Sequence, residues 1–172
     1  FPIREHLGFY SVEELTEILR RNARKLSVPL DDDAAREIAG RSRSTPRIAN
    51  NRLRWVRDYA ETKADGRATL AVVRAALKMA GIDELGLAKL DRDYLMTIIR
   101  VFGGGPVGIE AIAHTMNAST DTLEDEVEPF LLRSELLVRS PRGRVVTARG
   151  YQHLKIKPQT DGSADSQKRL FE

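Results

Sequence analysis

Apolar residues recur at helical spacing along most of the chain, and the spacing changes once, after residue 135. That change constrains the fold more than composition does. Before it, the stripes are those of amphipathic helices: Val12, Leu15, Ile18, Leu19, Ala23 and Leu26; Ala49, Leu53, Val56 and Ala60; Ile109, Ile112, Ala113 and Met116; Leu123, Val127, Phe130 and Leu131. After it come two short runs, LLVR and RVVT, separated by SPRG. Proline second and glycine fourth fit a type I turn, so the runs predict a β-hairpin. The expected fold class is mainly α with one short hairpin.

Local signals set the boundaries. Ser11 and Glu14 form a capping box at the start of the first helix, and Pro29 ends that element. Asp31, Asp32 and Asp33 load the start of a second, short helix through about Arg41. Thr45 suits the N-cap and Pro46 the first position of a third helix. Residues 62–67, TKADGR, read as a loop, and residues 68–80 as a fourth helix closed by Gly81. Residues 1–80 thus form a four-helix unit, and residues 81–90 read as a linker. Residues 91–156 form a second unit: a helix over about 91–102, one opened by Pro106, one capped by Ser119 or Thr120, then the hairpin. Three helices followed by a hairpin is the winged-helix order. Residues 157–172 have the composition of a disordered tail.

Composition narrows the chemistry. Lys and Arg number 28 against 25 Asp and Glu, so a surface for a polyanion has to be local. The absence of cysteine excludes disulfides and thiolate chemistry and fits a reducing cytoplasm. No apolar run is long enough to span a membrane, and FPIREHLGFY has no secretory-signal character. A start at Phe1 suggests a piece of a longer chain or a processed one. His6, His114 and His153 show no ligand spacing, and Asp31–Asp33 lack the glycine and distant glutamate of a calcium loop. FGGGPVG, residues 102–108, lacks the Gly-Lys-Ser/Thr ending of a phosphate loop. No complete active site is evident.

Two cationic features stand out. Arg47 lies in the first turn of a helix, where partial positive charge favours an anion. Either a bound phosphate meets it, or it pairs with Glu37 or Asp58. The second feature is the hairpin. Residues 136–149 carry Arg139, Arg142, Arg144 and Arg149 and no acid, whereas residues 119–135 carry six acids against Arg133. If the second unit binds DNA, the wing touches the backbone without reading sequence, and the third helix stays out of the groove. Otherwise the hairpin arginines are merely solvated.

Five stretches carry a resemblance. FYSVEELTEILRRNAR, STPRIANNRLRWVRDYA, FGGGPVG, DTLEDEVEPFLL and RSPRGRVVTARGYQHL resemble, in order, segments of the RuvB family of ATP-dependent motors that migrate Holliday junctions. The resemblance covers about residues 1–156. It implies an AAA+ small helical lid over residues 1–80 and a winged-helix DNA-binding domain in the second unit. It implies that Arg47 is the sensor-2 arginine on the terminal phosphates of ATP or ADP, and that Tyr10 lines the adenine end. Arg139 and Arg144 are implied to contact DNA, Arg142 more weakly. A homohexameric ring, a RuvA-type junction-binding partner and a cytoplasmic location follow from the same resemblance. The family's P-loop domain lies before this segment, so Mg2+ is expected only with that domain, and this chain alone is expected neither to hydrolyse ATP nor to form a stable hexamer. Ser44 stands where relatives usually have glycine, Thr120 where many have a DNA-contacting arginine, and Asn51 and Trp55 also depart. Gln167-Lys-Arg-Leu170-Phe171 resembles the peptide by which bacterial proteins dock on the sliding clamp. Two other readings are a non-enzymatic winged-helix regulator with a helical dimerisation unit, and an initiator-type AAA+ fragment.

Overall fold

A computed structural model describes residues 8–157, which divide into two compact units between Lys89 and Leu90. The first unit contains α1 (Val12–Lys25), α2 (Asp32–Gly40), α3 (Pro46–Lys63) and α4 (Leu70–Met79). The capping box at the start of α1 is complete. Glu14 N–H donates to Ser11 Oγ at 3.1 Å, and Ser11 N–H donates to Glu14 Oε2 at 2.8 Å. Leu15, Leu19, Ile38, Leu53, Val73 and Leu77 are buried together in the core, drawn from all four helices. Their spacing along each helix places them on one face, and removing that face from water drives the bundle together.

The turn into α3 is tight. Arg43 and Ser44 hold φ of 54° and 55°. Glycine enters that left-handed region freely and serine only at some cost. Thr45 occupies the N-cap position, but its hydroxyl donates to Arg43 O at 3.1 Å and caps no N–H.

Within residues 81–90, read from sequence as a linker or short joint, residues 82–88 hydrogen-bond to the first unit, and the boundary between the units falls at Lys89 and Leu90. Leu87 is fully buried. The Asp83 carboxylate accepts from the N–H groups of Leu85 and Leu87 at 3.1 and 2.8 Å. Arg41 donates to Asp83 O at 3.2 Å, and Gly86 O accepts from Arg43 at 3.2 Å and Arg52 at 3.1 Å. Gly86 sits at φ 86°, and a Cβ there would lie 2.4 Å from the Arg41 carbonyl oxygen. Three arginines distant in sequence therefore order a stretch whose own composition reads as a loop.

The second unit runs α5 (Lys89–Phe102), α6 (Ile109–Met116), α7 (Thr120–Thr122), a π-helical turn (Leu123–Val127), α8 (Glu128–Arg133), β1 (Leu137–Ser140), β2 (Gly143–Val146) and α9 (Ala148–His153). Pro106 does not open α6. Gly108 is its N-cap, the Gly105–Pro106 peptide is cis, and Val107 pairs with Arg144 through backbone bonds of 3.1 and 2.8 Å. The third helix is interrupted as well. Glu128 N–H reaches Leu123 O, five residues back. Pro129 has no N–H and its ring crowds the Asp125 carbonyl, so a widened turn accommodates it. The hairpin pairs Leu137 with Val146, Val138 with Val145, Arg139 with Arg144 and Ser140 with Gly143. The short α9, capped by the Thr147 hydroxyl, has too few residues to show a periodic stripe.

Gly86→Ala is expected to destabilise the first unit by at least ~1 kcal/mol from its backbone conformation alone. The clash with Arg41 adds to that cost. Thermal unfolding followed by circular dichroism checks it; an unchanged midpoint would mean that the 82–88 segment contributes no order to the unit.

Candidate functional site

Arg47 is the second residue of α3 and is exposed. Both residues that could have paired with it are engaged elsewhere. Glu37 accepts from Arg41 at 2.5 Å and Arg74 at 3.1 Å, and Asp58 accepts from Arg57 at 2.7 Å. Burial tends to raise the Glu37 pKa, but hydrogen bonds from Arg74 and Arg41 outweigh it and hold the carboxyl below its ordinary range. Among the described residues no hydrogen bond or ion pair holds Arg47. The first turn of α3 carries no acid and no side-chain cap. Pro46 lacks an N–H, and the N–H groups of Arg47 and Ile48 have no partner within the helix. A free guanidinium beside these groups is suited to an oxyanion. Tyr10 precedes α1 and is 45% exposed, beside Phe9 at 70%. No hydrogen bond links Tyr10 to Arg47.

Asn51 and Trp55 lie one and two turns further along α3. With Ile48, Arg52, Leu77 and Ile82 they line an open cleft of about 210 Å³. Trp55 Nε1 donates to Ala76 O at 2.7 Å, so the ring is fixed against α4.

Two of the hairpin arginines, Arg139 and Arg144, are not merely solvated but turn toward carboxylates of the same unit. Register places Arg139 and Arg144 opposite one another on one face of the hairpin, and that face turns toward α8 and the π-helical turn. Two like charges opposite each other repel, and the structure places a carboxylate between them. Glu128, fully buried, accepts from Arg144 Nε at 2.8 Å on one oxygen and from Arg139 Nε at 2.8 Å on the other. The Tyr94 hydroxyl, from α5, donates to the same carboxylate at 2.5 Å. Arg144 also donates to Glu124 at 2.5 Å. Burial pushes the Tyr94 hydroxyl pKa well up, and the neighbouring Glu128 charge pushes the same way. Burial also tends to raise the Glu128 pKa. Hydrogen bonds from Arg144, Tyr94 and Arg139 more than offset it, so this carboxyl stays ionised below its ordinary range.

Exposure separates the wing arginines. The Arg144 side chain is 14% exposed and the Arg139 side chain 49%. Arg142 lies in the turn, exposed, and among the described residues its guanidinium has no partner. Arg149 pairs with Glu135 at 2.9 Å. The acidic stretch is thus divided: Glu124 and Glu128 face the wing, while Asp121, Asp125 and Glu126 are exposed. Tyr94, Glu124 and Glu128 were not legible as site residues. The available signal was the facing pair Arg139 and Arg144 in a hairpin with no acid, which demands a counter-charge from elsewhere.

Among the described residues no three His, Cys, Asp or Glu side chains converge as a metal site would need. His6 and the 167–171 peptide lie outside the described residues.

Residues 10–83 match the RuvB AAA lid domain, and residues 84–155 match the RuvB C-terminal winged helix domain. The chain belongs to the RuvB family. It is 63% identical over 155 residues to the Holliday junction branch migration complex subunit RuvB of Rhodopirellula baltica, covering 90% of this chain and 42% of that protein. It is 50% identical over 158 residues to the subunit of the same name from Myxococcus xanthus, covering 92% and 46%. Among solved structures it is similar to the Thermotoga maritima RuvB Holliday junction branch migration motor, with a TM-score of 0.83, 45% identity, and coverage of 88% of this chain and 51% of that one. The chain spans about half the length of the relatives it matches, or slightly less.

Removing the buried counter-charge is the strongest local perturbation. Glu128→Ala is expected to cost about 3 kcal/mol, because the wing arginines lose their shared partner. The pH dependence has a definite sign. The folded pKa of Glu128 lies below its ordinary 4.5, so its contribution is fully present above that value and lost as pH falls through the folded one. Urea unfolding between neutral and acid pH is expected to lose stability less steeply in Glu128→Gln than in the unmodified chain; equal slopes would show that Glu128 is not held ionised by the fold.

Proposed function

We propose that this chain is the nucleotide-sensing lid and DNA-gripping winged-helix portion of an ATP-driven motor that migrates Holliday junctions in recombination and repair. The observation that carries the lid assignment is Arg47: exposed, unpartnered among the described residues, and placed at an uncapped helix start. Relatives named as branch migration subunits, at up to 63% identity among those compared, support the larger reading.

The terminal phosphate of ATP is the anion that Arg47 meets, and Tyr10 lies at the adenine end of the same nucleotide. Charge-assisted contacts of this kind contribute on the order of 1.5–3 kcal/mol each. Loss of the phosphate on hydrolysis removes the anion and releases the lid to rotate about the stretch near Ser11. A contact of that size suffices to bias a hinge whose states differ by a few kcal/mol. The wing then transmits the movement to the DNA backbone without reading bases, as suits a motor that crosses any sequence.

Among the described residues no cluster of His, Cys, Asp or Glu is suited to hold Mg2+. The P-loop domain that binds it, and that supplies the metal-phosphate chemistry of hydrolysis, comes from outside this segment. The assembled motor is a homohexameric ring in the cytoplasm, and a RuvA-type protein delivers the junction through the P-loop domain. The exposed acids of the third helix disfavour an operator-reading regulator, since that helix would have to enter the groove.

In a protein that carries the P-loop domain on this chain, Arg47→Ala is expected to lower ATP turnover at least tenfold while DNA affinity stays within about twofold. Phosphate release and fluorescence anisotropy measure the two. Equal loss of both in a folded variant would refute the division of labour. The 172-residue chain alone is expected to release no phosphate from ATP above background.

A further inference from the structure

Arg47 lies between two arginines that share one acceptor. Arg43, in the turn before α3, donates from Nε to Gly86 O at 3.2 Å, and Arg52, inside α3, donates from Nη2 to the same oxygen at 3.1 Å. Arg47 stands four residues after the first and five before the second. The Gly86 carbonyl therefore ties the turn to the body of the helix that follows it, across the helix start. Both donors are charged, which makes each bond stronger than one between neutral groups.

The turn needs such a tie. Arg43 and Ser44 both hold left-handed φ, which residues other than glycine keep only where their surroundings over-determine it. The side-chain cap that would fix the chain's entry into α3 is missing, because the Thr45 hydroxyl donates to Arg43 O. The 82–88 segment supplies the constraint instead, and it is itself anchored. Leu87 is fully buried, Arg41 donates to Asp83 O at 3.2 Å, and Gly86 packs against the Arg41 backbone too closely for any Cβ. Arg52 is 8% exposed, so the far end of the tie sits inside the unit, whereas Arg47 faces solvent.

We propose that the Gly86 carbonyl, held by Arg43 and Arg52, sets the direction of the α3 start and hence of the Arg47 guanidinium, which makes Arg43 and Arg52 positioning residues for the terminal phosphate of the nucleotide. The proposal rests on the reading of Arg47 as the phosphate contact. Arg43 and Arg52 act through Arg47 and touch no phosphate themselves. A guanidinium aimed in advance gives up less freedom when the oxyanion arrives.

The test uses a protein that carries the P-loop domain on this chain. It reads the preference for an unhydrolysable ATP analogue over ADP, as a ratio of dissociation constants, by competition with a fluorescent nucleotide. General loosening of the lid weakens both nucleotides alike, whereas a misdirected Arg47 weakens the one with the terminal phosphate. Arg43→Ala is expected to lower the preference at least about threefold, and by less than about 1.5-fold where Arg47 is already alanine, because residues that act through one contact are not additive. Gly86→Ala, which displaces the carbonyl and keeps all three arginines, is expected to lower it as well. An unchanged preference in folded Arg43→Ala or Gly86→Ala, or an equal loss with and without Arg47, overturns the proposal. Arg47→Ala alone separates the two levels. If it leaves the preference unchanged, the phosphate reading of Arg47 fails and takes this proposal with it; if it lowers the preference and Arg43→Ala does not, the positioning role alone fails. Hydrogen exchange in the unmodified 172-residue chain needs no variant to fold. The Arg43 Nε–H is expected to exchange with water at least about tenfold more slowly than the Arg47 Nε–H, and equal rates overturn the proposal.

Discussion

The second unit depends on a carboxylate that has no access to water. Glu128 is fully buried, and an ionised carboxylate in that position is tolerated only when its oxygens are satisfied. Tyr94 from α5 and Arg139 and Arg144 from the hairpin satisfy them. Three elements far apart in sequence are thereby tied to one side chain at the start of α8. The arrangement is also self-consistent. The hairpin register sets two arginines face to face, and without the acid their repulsion would oppose the strand pairing that brings them together. Replacing Glu128 and both arginines together by apolar residues is the change that ion networks of this kind often tolerate, so the network is a specific device and not a requirement of the winged-helix fold.

The first unit solves a similar problem in the opposite way. Its candidate site is built by leaving charge unpaired. Glu37 and Asp58 are engaged by other arginines, so neither neutralises Arg47, and the Thr45 hydroxyl turns back to Arg43 O and leaves the α3 start uncapped. Each departure from the usual helix-start pattern costs a little stability, and together they leave a position that an oxyanion can complete. A site of this kind gains from a ligand what its own sequence withholds.

Much of the architecture was legible because it rests on local rules. The capping box at Ser11, the helical stripes and the SPRG turn each draw on residues within a few positions of one another, and the structure follows them. The prominence of Arg47 was legible for the same reason. What was not legible depends on partners remote in sequence. The 82–88 segment is ordered by Arg41, Arg43 and Arg52, and nothing in GIDELG announces that. Pro106 reads as a helix opener, yet the backbone of Val107 is recruited by β2, which displaces the start of α6 to Ile109. The acids of the third helix read only as a surface kept out of a DNA groove, but two of them point at the wing. Charge sign could be read from the sequence; which charges had already met could not.

The shortage of unoccupied cations at the hairpin tip has a kinetic meaning. A wing that offers only one or two donors to a phosphodiester backbone clasps it feebly and lets go fast. Several such wings arrayed around one duplex would still hold on, because a detached wing re-engages at high local concentration before its neighbours release. Grip shared in this way suits the proposed motor, which has to advance along its track without falling off.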